Sequence, residues 1–208
     1  MTAQFRTLAR LPPPPALLAL ICLAMCPVRA VADEPSANPT TIAFPEGGTI
    51  RMSLNVGAME VVGVEEQRIT VSWRSSRSKD ERGVKVKLTR SGANAATLVV
   101  DGPGNRVRYR IEVPRQSNVA IRMQAGELDI HGLLGDVDAD LMAGELDLRV
   151  AEPSRYRTVR ASVTFGEITA KPWHFDTGGM WRSFATKGSG EYELRARVLA
   201  GQLTLRAE

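Results

Sequence analysis

From Thr49 onward, apolar and polar side chains alternate with a period of two, the pattern of strands that bury one face. The stretches TIRMSLNV, RITVSW, VKVKL and RVRYRIEV all read this way. Beyond the N-terminal segment, no window holds the helical period long enough to make a core helix. The pattern predicts an all-β protein.

The second half repeats itself. In GDVDADLMAGELDL, Val137, Ala139 and Leu141 share one face, and Leu146 and Leu148 continue it after Met142-Ala143-Gly144. Asp136, Asp138, Asp140, Glu145 and Asp147 take the other face. The same pattern recurs in IRMQAGELDI, VRASVTFGEITA and GEYELRARVLAGQLTL, with glycines at Gly126, Gly144, Gly166 and Gly201 spaced 18, 22 and 35 residues apart. Gly57 in LNVGAMEVVG marks a degenerate first unit, and Gly190 falls inside the longest interval. Glycine stands where a chain needs positive φ or where another backbone passes close. Short units with one apolar face need neighbours above and below. This spacing predicts a single-domain β-solenoid, a coil of short strands turning at Gly57, Gly126, Gly144, Gly166, Gly190 and Gly201. The alternative is an antiparallel β-sandwich with meander connections, which alternates in the same way. The coil makes a specific demand: Leu128, Leu146 and Ile168 must share one aliphatic column.

The N-terminal segment has another character. Arg6 and Arg10 precede the apolar run ALLALICLAMC, and Ala30-Val31-Ala32 supply small residues for cleavage before Asp33. Eleven apolar residues are too few to span a bilayer, which takes about 20. Residues 1–32 are expected to be a secretory signal peptide, residues 33–41 a polar linker, and residues 42–208 the β-strand-repeat domain. No transmembrane segment is expected after cleavage, and the expected location is the periplasm or cell surface. Both cysteines, Cys22 and Cys26, fall in the leader, so a hydrophobic core and not disulfides must hold the mature domain.

Charge follows the same division. Arg6, Arg10 and Arg29 belong to the leader, leaving 24 basic against 23 acidic side chains, a net charge of +1 where the whole chain has +4. Nucleic-acid binding calls for a clear basic excess, so none is expected. The charges are nevertheless segregated: Arg68 to Arg122 holds 13 basic and 4 acidic residues, whereas Glu127 to Asp147 holds 7 acids and no Lys or Arg.

FPEGGTIRMSLNVGAMEVVGVEEQRITVSW, followed by RYRIEVPRQSNVAIRMQAGELDIHGLLGDVDADLMAGELDL, resembles the toastrack, or adhesin-like, β-strand-repeat family of bacterial envelope proteins. The likeness runs from about Ile42 to Leu205 and includes the Gly57 turn, VPR at Val113 to Arg115 and the glycine-acid repeats. The resemblance implies a non-enzymatic β-coil linked to surface adhesion or to envelope-stress modules. It brings no catalytic residues.

Chemistry in the residues themselves is sparse. The mature chain has no cysteine and no GxSxG elbow, and His131 and His174 are too few for a metal centre. No enzyme activity, cofactor or metal is expected. The runner-up function is a carbohydrate-active β-helix enzyme using paired carboxylates. Asp136, Asp138 and Asp140 form a ladder that reads either as a solvated face or as oxygen donors for calcium. Arg106, Arg108 and Arg110 project to one face and could meet acidic glycans or phosphates, or else lay their stems over apolar surface. The segment KPWHFDTGGMWRSFATKGSG gathers Trp173, His174, Phe175, Trp181 and Phe184. It would either cap one end of the coil or form an aromatic platform for an envelope protein or glycan.

Overall fold

The computed structural model describes residues 37–104 and 106–208. The expected leader and the start of the expected linker lie outside the described residues. Eleven strands and one short helix follow in order. They are β1 (Thr40–Ala43), β2 (Thr49–Val64), β3 (Arg68–Ser75), α1 (Ser78–Arg82), β4 (Lys85–Arg90), β5 (Ala95–Asp101) and β6 (Val107–Pro114). Then come β7 (Asn118–His131), β8 (Val137–Val150), β9 (Tyr156–Ala170), β10 (Phe175–Lys187) and β11 (Tyr192–Ala207). The fold is all-β, as the alternation predicts.

All eleven strands belong to one sheet that does not close on itself, with the main order β1-β3-β6-β2-β7-β8-β11-β9-β10. Its centre, β2-β7-β8-β11-β9, is parallel throughout. The first half of β2 pairs β5, which in turn pairs β4, while the second half pairs β6. Antiparallel β1-β3-β6 and β9-β10 finish the two sides.

Each long strand has two arms, and its burial pattern explains how. In β8 the buried side chains are Val137, Ala139 and Leu141, then Leu146, Leu148 and Val150. The first set is odd-numbered and the second even. An uninterrupted strand would send Leu146 and Leu148 to the opposite face from Leu141. The phase slips by one residue at Gly144, where φ is +131°, so both arms keep their apolar side toward the same core. The same slip occurs in β7 between Met123 and Leu128, and in β11 between Val198 and Leu203. The repeat glycines therefore bend continuous strands; they do not end them in hairpin turns.

Gly57, Gly126, Gly144, Gly201 and Gly166 lie side by side in register, and β10 adds Gly179 opposite Gly166. The backbones meet closely along this column: a Cβ on Gly144 would sit 1.9 Å from the Gly126 carbonyl oxygen. Gly190 is not part of it and packs against Arg155 in the loop before β11. The long interval between Gly166 and Gly201 is thus filled by β10, whose column glycine is Gly179.

One aliphatic core lies inside the bends. Leu128, Leu146 and Ile168 are each at most 1% exposed and belong to it. Chain order and spatial order differ, because β11 is inserted between β8 and β9.

Candidate functional site

The tryptophan-rich segment divides its aromatic residues between two jobs. A short 3-10 turn, Lys171–Trp173, reverses the chain into β10, and His174 takes the left-handed conformation at φ 54°. Phe175 and Phe184 then point toward the core side of β10, opposite Ala170 and Ala161 of β9. Phe184 stacks against Trp173 at 5.5 Å and Phe175 at 5.0 Å, and all three pack on the core half-buried. They cover the end of the aliphatic column. Exposed His174 makes no contact with this cluster among those described.

Trp181 belongs to a different surface. It lies at the bend of β10, 74% exposed, with φ 54°. Bulky side chains rarely adopt that backbone region, and such strain tends to persist at functional positions. Its ring lies 6.4 Å from that of Phe165. Phe165, Met142, Leu199 and Met180 are likewise exposed, and each stands one or two residues from a column glycine on β9, β8, β11 and β10. The bend thus carries an apolar ridge across four neighbouring strands. In register with Met142 and Leu199, β7 and β2 carry Gln124 and Asn55, and in register with Phe165 they carry Ala125 and Val56, so the large exposed apolar side chains stop at β8. Met180 falls in the aromatic segment the sequence singles out, but Met142, Phe165 and Leu199 were not among its candidate residues, although a large apolar residue beside each repeat glycine is a legible signal.

The arginines behave individually. Arg110 bonds Glu60 at 2.8 Å and Glu112 at 3.1 Å. Burial works against the Glu60 charge, but hydrogen bonds with His131 and Arg110 outweigh it and hold the carboxyl below its ordinary range. Arg108 and its antiparallel neighbour Arg74 have no ion pair among the described residues. Arg106 precedes β6, also exposed. Lys85 and Lys87 lie on β4, on the arm away from β6. Between the arginines and Glu127 runs a trough of about 550 Å³ with Ala58 on its floor, flanked in register by Arg108 and Glu127.

The aspartate ladder faces arginines on both sides. Arg122 of β7 reaches Asp138 at 3.2 Å and Asp140 at 2.8 Å, and Arg197 of β11 grips Asp140 through both Nε and Nη2. On the other arm Arg149 holds Asp129, and Arg206 holds Asp147, each at 2.8 Å. Burial pushes the Asp147 carboxyl up; Arg206 pulls part of that back, and Asp129 on the next strand adds to it. A parallel sheet normally hides both faces. Here alternating signs on strands about 4.8 Å apart let one face stay in water.

No protein-family model and no curated protein matches the chain. Among solved structures, it is similar to a "putative cell adhesion protein" from Clostridium sporogenes at 11% identity and a TM-score of 0.48, covering 82% of this chain and 100% of that one. A "putative adhesin" from Bacteroides fragilis matches at 11% identity and a TM-score of 0.30, over 83% of this chain and 99% of that one. Another from Parabacteroides merdae matches at 14% identity and a TM-score of 0.20, over 58% and 56% respectively.

Proposed function

We propose that this chain is an exported, non-enzymatic envelope protein of adhesion type, a solenoid-like β-coil whose bend presents a contact surface to an envelope protein or glycan. One observation carries the reading: Met142, Leu199, Phe165, Met180 and Trp181 are all exposed at the bend on four neighbouring strands, an apolar ridge in water. A lone exposed leucine needs no explanation, but a rimmed apolar strip of this kind marks an interaction site. Tryptophan suits both candidate partners, since its ring stacks on the apolar face of a sugar and anchors protein contacts. The strained backbone at Trp181 supports the same reading, because nothing in the core requires that side chain.

The test separates contact from stability. In Trp181→Asn the ring is lost while the left-handed conformation remains tolerable. The thermal midpoint should hold or rise slightly. Binding of the purified protein to isolated envelope fractions should fall at least tenfold, the order expected of a lost aromatic anchor. Unchanged binding would remove the ridge from the function.

A further inference from the structure

The described sheet has three outer strands, and only two are protected against pairing with another chain. A free edge offers unpaired N–H and C=O groups, which proteins usually blunt with short strands or with lysines and arginines. β1 has four residues. β4 carries Lys85, Lys87 and Arg90 in six. β10 is thirteen residues long; its edge-facing set contains one cation, Lys187, and Arg182 at the bend reaches back along the strand to donate its Nε to the Gly178 carbonyl. That set can be read from the ladder. Gly188 donates to the Arg157 carbonyl of the β9 side, so alternate residues Ser183, Ala185 and Lys187 turn their backbone groups away from β9. Across the bend their counterparts are Asp176, Gly178 and Met180, which share the outer face with them, opposite Thr169, Glu167 and Phe165.

We infer that a second copy of this chain pairs with β10, antiparallel and about a two-fold axis beside Trp181 and Arg182, making one continuous sheet across two molecules. Three features select this occupant and register. Only another strand satisfies a row of backbone donors and acceptors; a lipid surface or a sugar would leave most of them unpaired. In the register that sets Asp176 of one copy opposite Lys187 of the other, the two-fold axis forms that ion pair twice. Gly178 then faces Ala185 and Met180 faces Ser183, so each outward backbone group meets an outward partner, the Gly178 carbonyl exchanging its bond from Arg182 Nε for one across the interface. The register also keeps core-side residues together, Thr177 with Thr186 and Gly179 with Phe184. The half-buried Phe175 and Phe184, which end the core of one molecule, would become the middle of a shared one. The pairing would further join two apolar ridges end to end. The inference goes beyond the binding role proposed above and does not depend on it.

Sedimentation equilibrium of the purified protein tests the pairing. Twice the chain mass is expected, dissociating on dilution. Lys187→Asp sets acid against acid at both symmetry-related places and should weaken the dimer roughly tenfold. Combining it with Asp176→Lys restores opposite charges and should return the dissociation constant to that of the unaltered protein. Ala185→Pro removes an outward N–H, a change that edge strands tolerate, and should give monomer with an unchanged circular dichroism spectrum. A monomer at every concentration, a ladder of higher masses, or a dimer indifferent to the charge reversal and its rescue would each overturn the inference. Envelope binding measured on the same variants keeps the two ideas apart: Trp181→Asn probes the ridge with the edge backbone intact, and the Asp176/Lys187 pair probes the edge with the ridge intact.

Discussion

Replacing Gly144 by alanine places a methyl group 1.9 Å from the Gly126 carbonyl oxygen, where real Cβ atoms stay beyond 3.0 Å. The obstacle is backbone, so no rotamer relieves it, and β8 must retreat locally from β7 by about 1 Å. Weakening two ladder hydrogen bonds costs about 1 kcal/mol each. Holding an L-residue at the φ of +131° found here adds roughly 1–3 kcal/mol. The expected loss is about 3–5 kcal/mol, a large share of the roughly 5–15 kcal/mol of a typical domain. Two controls separate the terms. Gly47 has φ +70° but nothing within 4 Å, so its alanine variant should lose only about 1–2 kcal/mol. Gly92 has open space and no such φ, and its variant should stay within about 0.5 kcal/mol of the parent. Urea midpoints at constant m would give all three values. If Gly144→Ala costs no more than Gly47→Ala, close backbone approach is not what the column glycines provide.

Two further outcomes follow from the same packing. Phe184→Ala, which removes a ring lodged between Trp173 and Phe175, should cost about 2–3 kcal/mol, less than the 3–5 of a fully buried ring, whereas Trp181→Asn should cost nothing; equal losses would show that both rings are cap. At high pH the three tyrosines act together. Burial, with Asp101 adding to it, pushes the Tyr109 phenol up from its ordinary 10 to about 12. Tyr156 and Tyr192 are also raised, burial being the first cause of each. A raised folded-state value means that stability is intact below pH 10 and is lost as pH climbs toward 12, by roughly 3 kcal/mol for Tyr109 alone. Tyrosinate absorbance should therefore lag its ordinary titration until the chain unfolds. An ordinary midpoint with the sheet still intact would contradict that packing.

Much of this architecture could be read from the chain. Period two identified the strands, and the leucines beside AGELD identified the core, because a buried face needs aliphatic residues at fixed phase. Other features were hidden. Parallel and hairpin pairing produce the same alternation, so Gly144 looked like the end of a strand when it is the bend of one. The absence of Lys and Arg between Glu127 and Asp147 looked like a strip of uncompensated acid. Its cations, Arg122 and Arg197, come from strands 16 to 59 residues away. Gly179 was passed over for Gly190, since only strand pairing shows which glycine meets Gly166. The aromatic segment left cap and platform as alternatives; Trp173, Phe175 and Phe184 take the first place, and Trp181 stands apart in water.

The position of β11 bears on how the molecule is built. β8 and β9 are consecutive in the chain, yet the slot between them stays empty until the last described strand enters it and bonds both neighbours along its whole length. Until then the β9-β10 hairpin has no tie to the rest of the sheet through its ladder. A chain emerging N-terminus first can assemble β2, β7 and β8 as it appears, but its final third must wait. The closing strand works as a keystone: structure should arrive late and all at once, when β11 becomes available to enter the slot between β8 and β9.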